Sequence, residues 1–271
     1  MMLTSVLALM ASLLYLYATL TIWRRFRADQ KCEDHCECRN RFFWLVCLGL
    51  VFHFLSFAPA LTDGNWLYFN LSIGLSLISW VALAILLVTN INKPTENLGI
   101  FILPIGAVTA LLPLVQTDTI PLPIELGSHV LISIIAYSIM GLATAQAVLY
   151  ALQEKRFQKR QLNTLFKSLP PLQVMEKVLM QLVLIGFVFV SFALLSGVFF
   201  LEDIFAQHLV HKTFFALLAW AAYLLLLIGH HRMGWRGQKA ATYTIWAYVL
   251  LVVSYIGTQL ILQSLGLLPA S

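Results

Sequence analysis

The chain has 271 residues, of which 60% are hydrophobic and only 11% are charged, with a formal net charge of +5. A soluble domain of this length cannot bury so much apolar surface, so the composition excludes an ordinary globular protein. Continuous apolar runs of about 20 residues predict membrane-spanning α-helices and not the alternating strands of a β-barrel. We therefore predict an all-α, polytopic helix bundle that forms a single transmembrane domain over residues 1–271.

The apolar run at the N-terminus is predicted to be a retained membrane span. No basic residue precedes it, and Arg24, Arg25 and Arg27 follow it. A cleavable signal peptide has the opposite order of charges and a shorter apolar core.

Eight apolar runs predict eight spans, at residues 2–23, 42–61, 68–89, 98–115, 129–150, 178–200, 211–230 and 240–264. Because consecutive spans alternate in direction, their connections fall on two sides. One side contains residues 24–41, 90–97, 151–177 and 231–239. The other contains residues 62–67, 116–128 and 201–210, together with both termini.

The basic residues indicate which side is cytoplasmic. All 17 Lys and Arg residues except Lys212 lie in the first set of connections. Positive charge is enriched in cytoplasmic loops, so we predict that both termini are extracytoplasmic. The net charge thus reflects topology and contact with membrane lipid, and it gives no indication of nucleic acid binding.

Proline and serine mark two predicted helix boundaries. Pro170 and Pro171 are expected to end a cytoplasmic extension of the fifth helix within residues 151–177. Ser128 is expected to cap the start of that helix, after the outer loop that contains Pro121 and Pro123.

The first cytoplasmic loop contains four metal-capable side chains within seven residues: Cys32, His35, Cys36 and Cys38. Zinc or another metal that prefers soft ligands could bind them. Their spacing matches no standard zinc pattern, and a reducing compartment disfavours disulfides. A weak metal site and an ordinary loop both remain open here.

His53 lies about 16 Å from the inner end of the second span, near the middle of the membrane. A polar ring at this depth needs a partner in the bundle interior. Three interpretations stay open: a position near the iron of a bound haem, a separate transit position for a ligand, and a buried histidine bonded to a neighbouring serine.

Three further histidines are predicted at the outer ends of helices. His129 and His211 each fall in the first turn of a span that enters from the outside, and His208 lies one turn before His211. The positive end of a helix dipole disfavours imidazolium, and neutral imidazole is the form that ligates haem iron. The alternative is that these rings bond water or lipid headgroups at the interface.

His230 and His231, at the inner end of the seventh span, are interpreted as interfacial anchors beside Arg232. Several small or hydroxylated residues are interpreted as helix-packing positions: Gly141, Ala145, Ser72, Ser76, Ser191, Ser196 and Gly197.

Several functional signatures are absent from the sequence. No Asp or Glu lies within the predicted spans, which argues against a transporter driven by a buried carboxylate relay. The chain has no phosphate-binding glycine loop, nucleophile elbow or HExxH motif, so we expect that it is not an enzyme. It also lacks CxxCH, the covalent haem-attachment signature.

The segment Gly234-Trp-Arg-Gly-Gln-Lys-Ala-Ala241, the later Ser254-Tyr-Ile-Gly257 and the earlier Leu217-Leu-Ala-Trp220 resemble the cytochrome c assembly protein family of the CcsA/CcmC type. His129 with the helix that follows it, and His211-Lys-Thr213, are most similar to the HemX/YpjD-like inner-membrane proteins of that family. The resemblance covers nearly the whole chain and implies location in the bacterial inner membrane.

The resemblance implies a haem-handling role at the outer face, with paired outer histidines as axial ligands at the positions of His129 and His211. Haem-delivering members carry a tryptophan-rich outer segment that ends in Trp-Asp. This chain has Phe205-Ala-Gln-His-Leu-Val210 at that place, which counts against haem presentation to an apocytochrome and leaves haem binding open.

Three functional hypotheses follow. The first is a non-enzymatic haem-binding protein of cytochrome c biogenesis or haem handling, with His129, His211, His53 and His208 as candidate cofactor-binding residues. The second is a haem-free regulatory or scaffold protein, whose partner belongs to the tetrapyrrole or cytochrome c biogenesis pathway. The third is a transporter.

Overall fold

A computed structural model describes residues 2–28, 35–63, 66–92, 96–115, 119–159, 169–200 and 207–257. These residues form eight α-helices: α1 (Met2–Ala28), α2 (His35–Leu61), α3 (Leu71–Asn92), α4 (Gly99–Thr109), α5 (Ile124–Gln158), α6 (Leu172–Phe200), α7 (Gln207–Met233) and α8 (Gln238–Val252). Short 3₁₀ turns precede and follow α4, and a π-helical turn, Val253–Gly257, continues α8.

Seven regions of this helical structure are long and apolar enough to cross a membrane. They correspond to the first seven predicted spans. The eighth predicted span, 240–264, coincides with α8 and its π-helical turn, but residues 258–264 lie outside the described part of the chain. The prediction of a helical membrane protein is thus confirmed, and so are seven of the predicted spans. The extracytoplasmic location of both termini stays a prediction.

The helices form two compact units. Unit 1 comprises residues 1–124 and 155–171 and contains α1 to α4; unit 2 comprises residues 125–154 and 172–271 and contains most of α5 together with α6 to α8. In unit 1, α1 packs against α2 and α4, and α3 packs against α4. In unit 2, α7 packs against both α6 and α8.

Unit 1 contains a three-stranded antiparallel sheet that the all-α prediction omitted. Its strands are β1 (Thr62–Asp63), β2 (Trp66–Phe69) and β3 (Ile120–Pro123), in the order β1-β2-β3. The run Trp66-Leu-Tyr-Phe69 has high strand propensity, but its partner β3 lies about fifty residues further along the chain. The two prolines of β3 cannot donate ladder hydrogen bonds, which is consistent with its position at the sheet edge.

The fifth helix begins earlier than predicted. Pro123 is the residue before its first turn, with φ −57° and ψ 147°, and the helix starts at Ile124. Proline fits this place because the first residues of a helix need no intrahelical N–H donor. The prediction that Ser128 caps the helix is therefore wrong, since Ser128 is already the fifth helical residue. At the other end, α5 extends to Gln158, and α6 begins directly after Pro171.

Glycines allow a large side chain to enter the core of unit 1. Tyr15 of α1 is fully buried between α2 and α4. A Cβ at Gly49 would lie 2.6 Å from Tyr15 Cε1, so this glycine makes room for the tyrosine ring; a Cβ at Gly106 would lie 2.6 Å from Leu83 Cδ1, with the Tyr15 ring in ordinary contact at 3.5 Å. Small residues that let helices approach closely are the usual basis of packing in a membrane.

Candidate functional site

His129 is the sixth residue of α5 and not a first-turn residue, because the helix begins at Ile124. The helix-dipole argument for a neutral ring is therefore wrong at this position, since that effect falls off within the first turn. The structure shows instead a hydrogen-bond contact between the ring and a neighbouring helix. His129 Nδ1 lies 2.9 Å from Ser196 Oγ on α6.

The direction of this hydrogen bond depends on the tautomer of the ring and on where the serine proton lies. Ser196 Oγ donates to the backbone carbonyl of Ala193, one turn earlier on α6, at 3.0 Å. When the single Ser196 proton is on the Ala193 carbonyl, Ser196 Oγ accepts from the ring and His129 Nδ1 is the donor. In a neutral imidazole this leaves the lone pair on Nε2, which is one of the two nitrogen atoms that ligate metals.

His208 and His211 belong to α7, which starts at Gln207. His208 falls in the first turn, and His211 is the fifth helical residue and begins the second turn. Their side chains lie outside the described part of the chain. The pairing of His211 with His129 therefore stays a prediction.

The four metal-capable side chains of the first cytoplasmic loop also lie outside the part of the chain that the structure describes. Cys32 precedes α2, and the side chains of His35, Cys36 and Cys38 at the start of that helix are not among those described. Within the described side chains, no group of three or more His, Cys, Asp or Glu is arranged to hold a metal ion. The weak metal-site prediction is not tested by the described residues.

His53 is fully buried in unit 1, and both of its ring nitrogens have hydrogen-bond partners. Nε2 lies 2.8 Å from Ser76 Oγ on α3, and Nδ1 lies 3.3 Å from the Tyr15 hydroxyl on α1. The Tyr15 and Phe57 rings meet the imidazole edge to face. These contacts agree with the interpretation of a buried histidine bonded to a neighbouring serine, and a cofactor role for His53 stays a prediction.

His230 has a more specific contact than an interfacial anchor requires. Its Nδ1 donates to the Trp235 backbone carbonyl at 2.8 Å, and the Trp235 N–H donates to the Gly229 carbonyl at 3.0 Å. The Trp235 ring rests on Gly229, where a Cβ would lie 2.4 Å from a ring carbon. The ring also packs on Tyr243 and lies under the Lys239 ammonium group. The tryptophan of the GWRG segment therefore fixes the turn between α7 and α8.

The second glycine of the GWRG segment, Gly237, lies at the start of α8. Gly237 has φ 64° and is the residue before the first turn of α8. The Glu154 carboxylate lies against it, because a Cβ at Gly237 would be 3.0 Å from Glu154 Oε1. This carboxylate therefore lies beside the N-terminal end of α8, where the helix dipole favours negative charge. Sequence analysis did not single out Glu154, because its partner lies more than eighty residues further along the chain.

Taken together, the apolar helices and the polar contacts between them define a multi-pass helical membrane protein. The family model for cytochrome c assembly proteins matches residues 121–265, more than half of the chain, and the chain belongs to this family. The resemblance based on the GWRG segment is confirmed.

Relatives with sequence similarity over most of the chain support the same placement. Inner membrane protein YpjD of Escherichia coli K12 is 28% identical over 225 residues, which cover 80% of this chain and 84% of the relative. An uncharacterized 28.8 kDa protein of Azospirillum brasilense is 26% identical over 245 residues, which cover 82% of this chain and 86% of the relative. No solved structure matches the chain significantly. The protein is thus a multi-pass protein of the inner membrane.

Proposed function

We propose that this protein is a non-enzymatic haem-binding member of the cytochrome c assembly family, in which His129 and His211 would hold the haem near the outer face. The observation that carries the proposal is the hydrogen bond between His129 Nδ1 and Ser196 Oγ. Histidines that bind metals almost always donate their second ring N–H to a fixed acceptor, and Ser196 Oγ lies within hydrogen-bond distance of His129 to serve as one.

The donor chemistry at His129 fits haem. Neutral imidazole nitrogen is a common ligand of haem iron. His129 would hold a bound haem through Nε2, and His211 is proposed as the second ligand. Haem, membrane lipid and proteins of cytochrome c biogenesis are the proposed partners.

Removal of the two proposed ligands should abolish haem binding. We expect the wild-type protein, purified in detergent after haem supplementation, to show a Soret absorption band. His129→Ala and His211→Ala should each weaken and shift this band, and the double variant should lose it. His231→Ala is the matched control, because His231 is exposed and lies near the opposite end of α7.

A Soret band of wild-type intensity in the double variant would contradict the assignment of these ligands. A wild-type protein that takes up no haem at any occupancy would favour the haem-free regulatory or scaffold alternative. In that case, chemical crosslinking in intact membranes should recover a protein partner.

We also propose that both termini are extracytoplasmic, because the basic residues concentrate at one end of the alternating helices. A full-length chain with alkaline phosphatase fused after Ser271 should show high phosphatase activity, since this enzyme matures only outside the cytoplasm. The same chain with green fluorescent protein at that position should be dark. A fluorescent fusion together with an inactive phosphatase fusion would reverse the proposed orientation.

A further inference from the structure

The helix α6 has two serines whose hydroxyls contact backbone carbonyls of their own helix. Ser191 Oγ donates to the Phe187 carbonyl at 2.8 Å, and Ser196 Oγ donates to the Ala193 carbonyl at 3.0 Å. In both cases a backbone carbonyl of the same helix is in place to accept the hydroxyl proton. A hydroxyl that donates to its own helix offers its oxygen lone pairs to a neighbouring helix as an acceptor.

The partner of Ser191 establishes this direction independently. Trp220 Nε1 on α7 lies 2.9 Å from Ser191 Oγ, and an indole nitrogen can only donate. The Trp220 ring also stacks on Phe187, with ring centroids 5.5 Å apart. Ser191, which bonds its own backbone, therefore acts as the acceptor of a ring N–H from the next helix, and the same arrangement is available to Ser196.

The two serines contact different helices because they lie five residues apart on α6. Five residues along an α-helix correspond to a rotation of about 140° around its axis. Ser191 accordingly contacts Trp220 on α7, whereas Ser196 contacts His129 on α5. Within unit 2, α6 thus holds one ring on each of two adjacent helices.

We propose that Ser196 is a positioning residue for His129: it keeps the proton on Nδ1 and directs the Nε2 lone pair as the ligating atom. The expected effect of Ser196 on haem binding rests on the proposed function. The prediction that Nδ1 of His129 carries the proton does not. Sequence analysis treated Ser196 as an ordinary packing residue, since nothing in its local sequence indicates a partner 67 residues away.

The tautomer can be measured without haem. Nitrogen NMR of protein with ¹⁵N-labelled histidine, in lipid vesicles, distinguishes the protonated from the unprotonated ring nitrogen, and the spectrum of His129→Gln assigns the signals. We expect Nδ1 of His129 to be protonated in the wild type and in Ser196→Thr, which retains a hydroxyl. Ser196→Ala should populate both tautomers, and Ser191→Ala should leave His129 unchanged.

Haem titration of the wild type and the three serine variants gives the second readout. Loss of a hydrogen-bond partner behind a metal ligand typically weakens metal binding by about 10- to 100-fold. We expect a loss of this size in Ser196→Ala, restoration in Ser196→Thr and no change in Ser191→Ala, which loses a hydrogen bond on the same helix to a ring that is not a proposed ligand.

The outcomes separate the two proposals. Wild-type protein with Nε2 protonated, or a His129 tautomer that is unchanged in Ser196→Ala, would overturn the role of Ser196. Haem binding that depends on His129 but is unaffected by Ser196→Ala would overturn it as well and leave the proposed function intact. Wild-type protein that binds no haem would instead refute the proposed function, and the NMR result alone would then decide the role of Ser196.

Discussion

Gly229→Ala is expected to destabilise unit 2 by about 1–3 kcal/mol, the usual cost of overpacking a filled site. The added methyl group would lie 2.4 to 2.9 Å from three carbons of the Trp235 ring. The ring cannot easily withdraw, because the Trp235 backbone is bonded at its N–H to Gly229 and at its carbonyl to His230. Thermal unfolding in detergent, followed by circular dichroism, measures the loss.

A double-variant comparison tests the cause. Gly229 lies within α7, where alanine favours the helix by about 1 kcal/mol relative to glycine. In a Trp235→Ala background, Gly229→Ala should therefore stabilise the protein, because the clash is gone and only the helix preference remains. If the substitution destabilises both backgrounds equally, the contact with the Trp235 ring is not the reason.

Tyr15→Ala is expected to produce the larger loss, about 3–5 kcal/mol in the free energy of unfolding. Removal of a fully buried aromatic ring leaves a cavity between helices that cannot close completely. The change also removes the hydroxyl that contacts His53 Nδ1. Unfolding by SDS in mixed micelles is a suitable measurement for this membrane protein.

Tyr17→Ala is the matched control, because Tyr17 lies on the same helix and is 52% exposed. Its effect should remain within about 0.5 kcal/mol. Tyr15→Phe separates the ring from the hydroxyl, and we expect it to lose about 1–3 kcal/mol, the penalty for a buried polar group left without its partner. Equal effects of Tyr15→Ala and Tyr17→Ala would show that Tyr15 does not support the core of unit 1.

The candidate site could be predicted only in part. His129 was recognised from its position at the start of an apolar run, but the boundary at residue 129 was wrong by five residues. That error gave an incorrect reason for a neutral ring, because Pro123 and not Ser128 precedes the first turn. His53 was recognised as a residue that needs a buried partner, and Ser76 is that partner, although Ser76 had been interpreted only as a packing residue.

The sequence by itself determined the membrane class, seven of the spans and the family, because apolar length and short motifs are local properties of the chain. It also predicts an orientation, through the one-sided distribution of basic charge. Only the tertiary structure decided which side chains meet: Tyr15 with His53, Ser196 with His129, and the Glu154 carboxylate with the start of α8. These pairs are separated by tens of residues, and a pattern of single residues carries no information on which helix faces pack together.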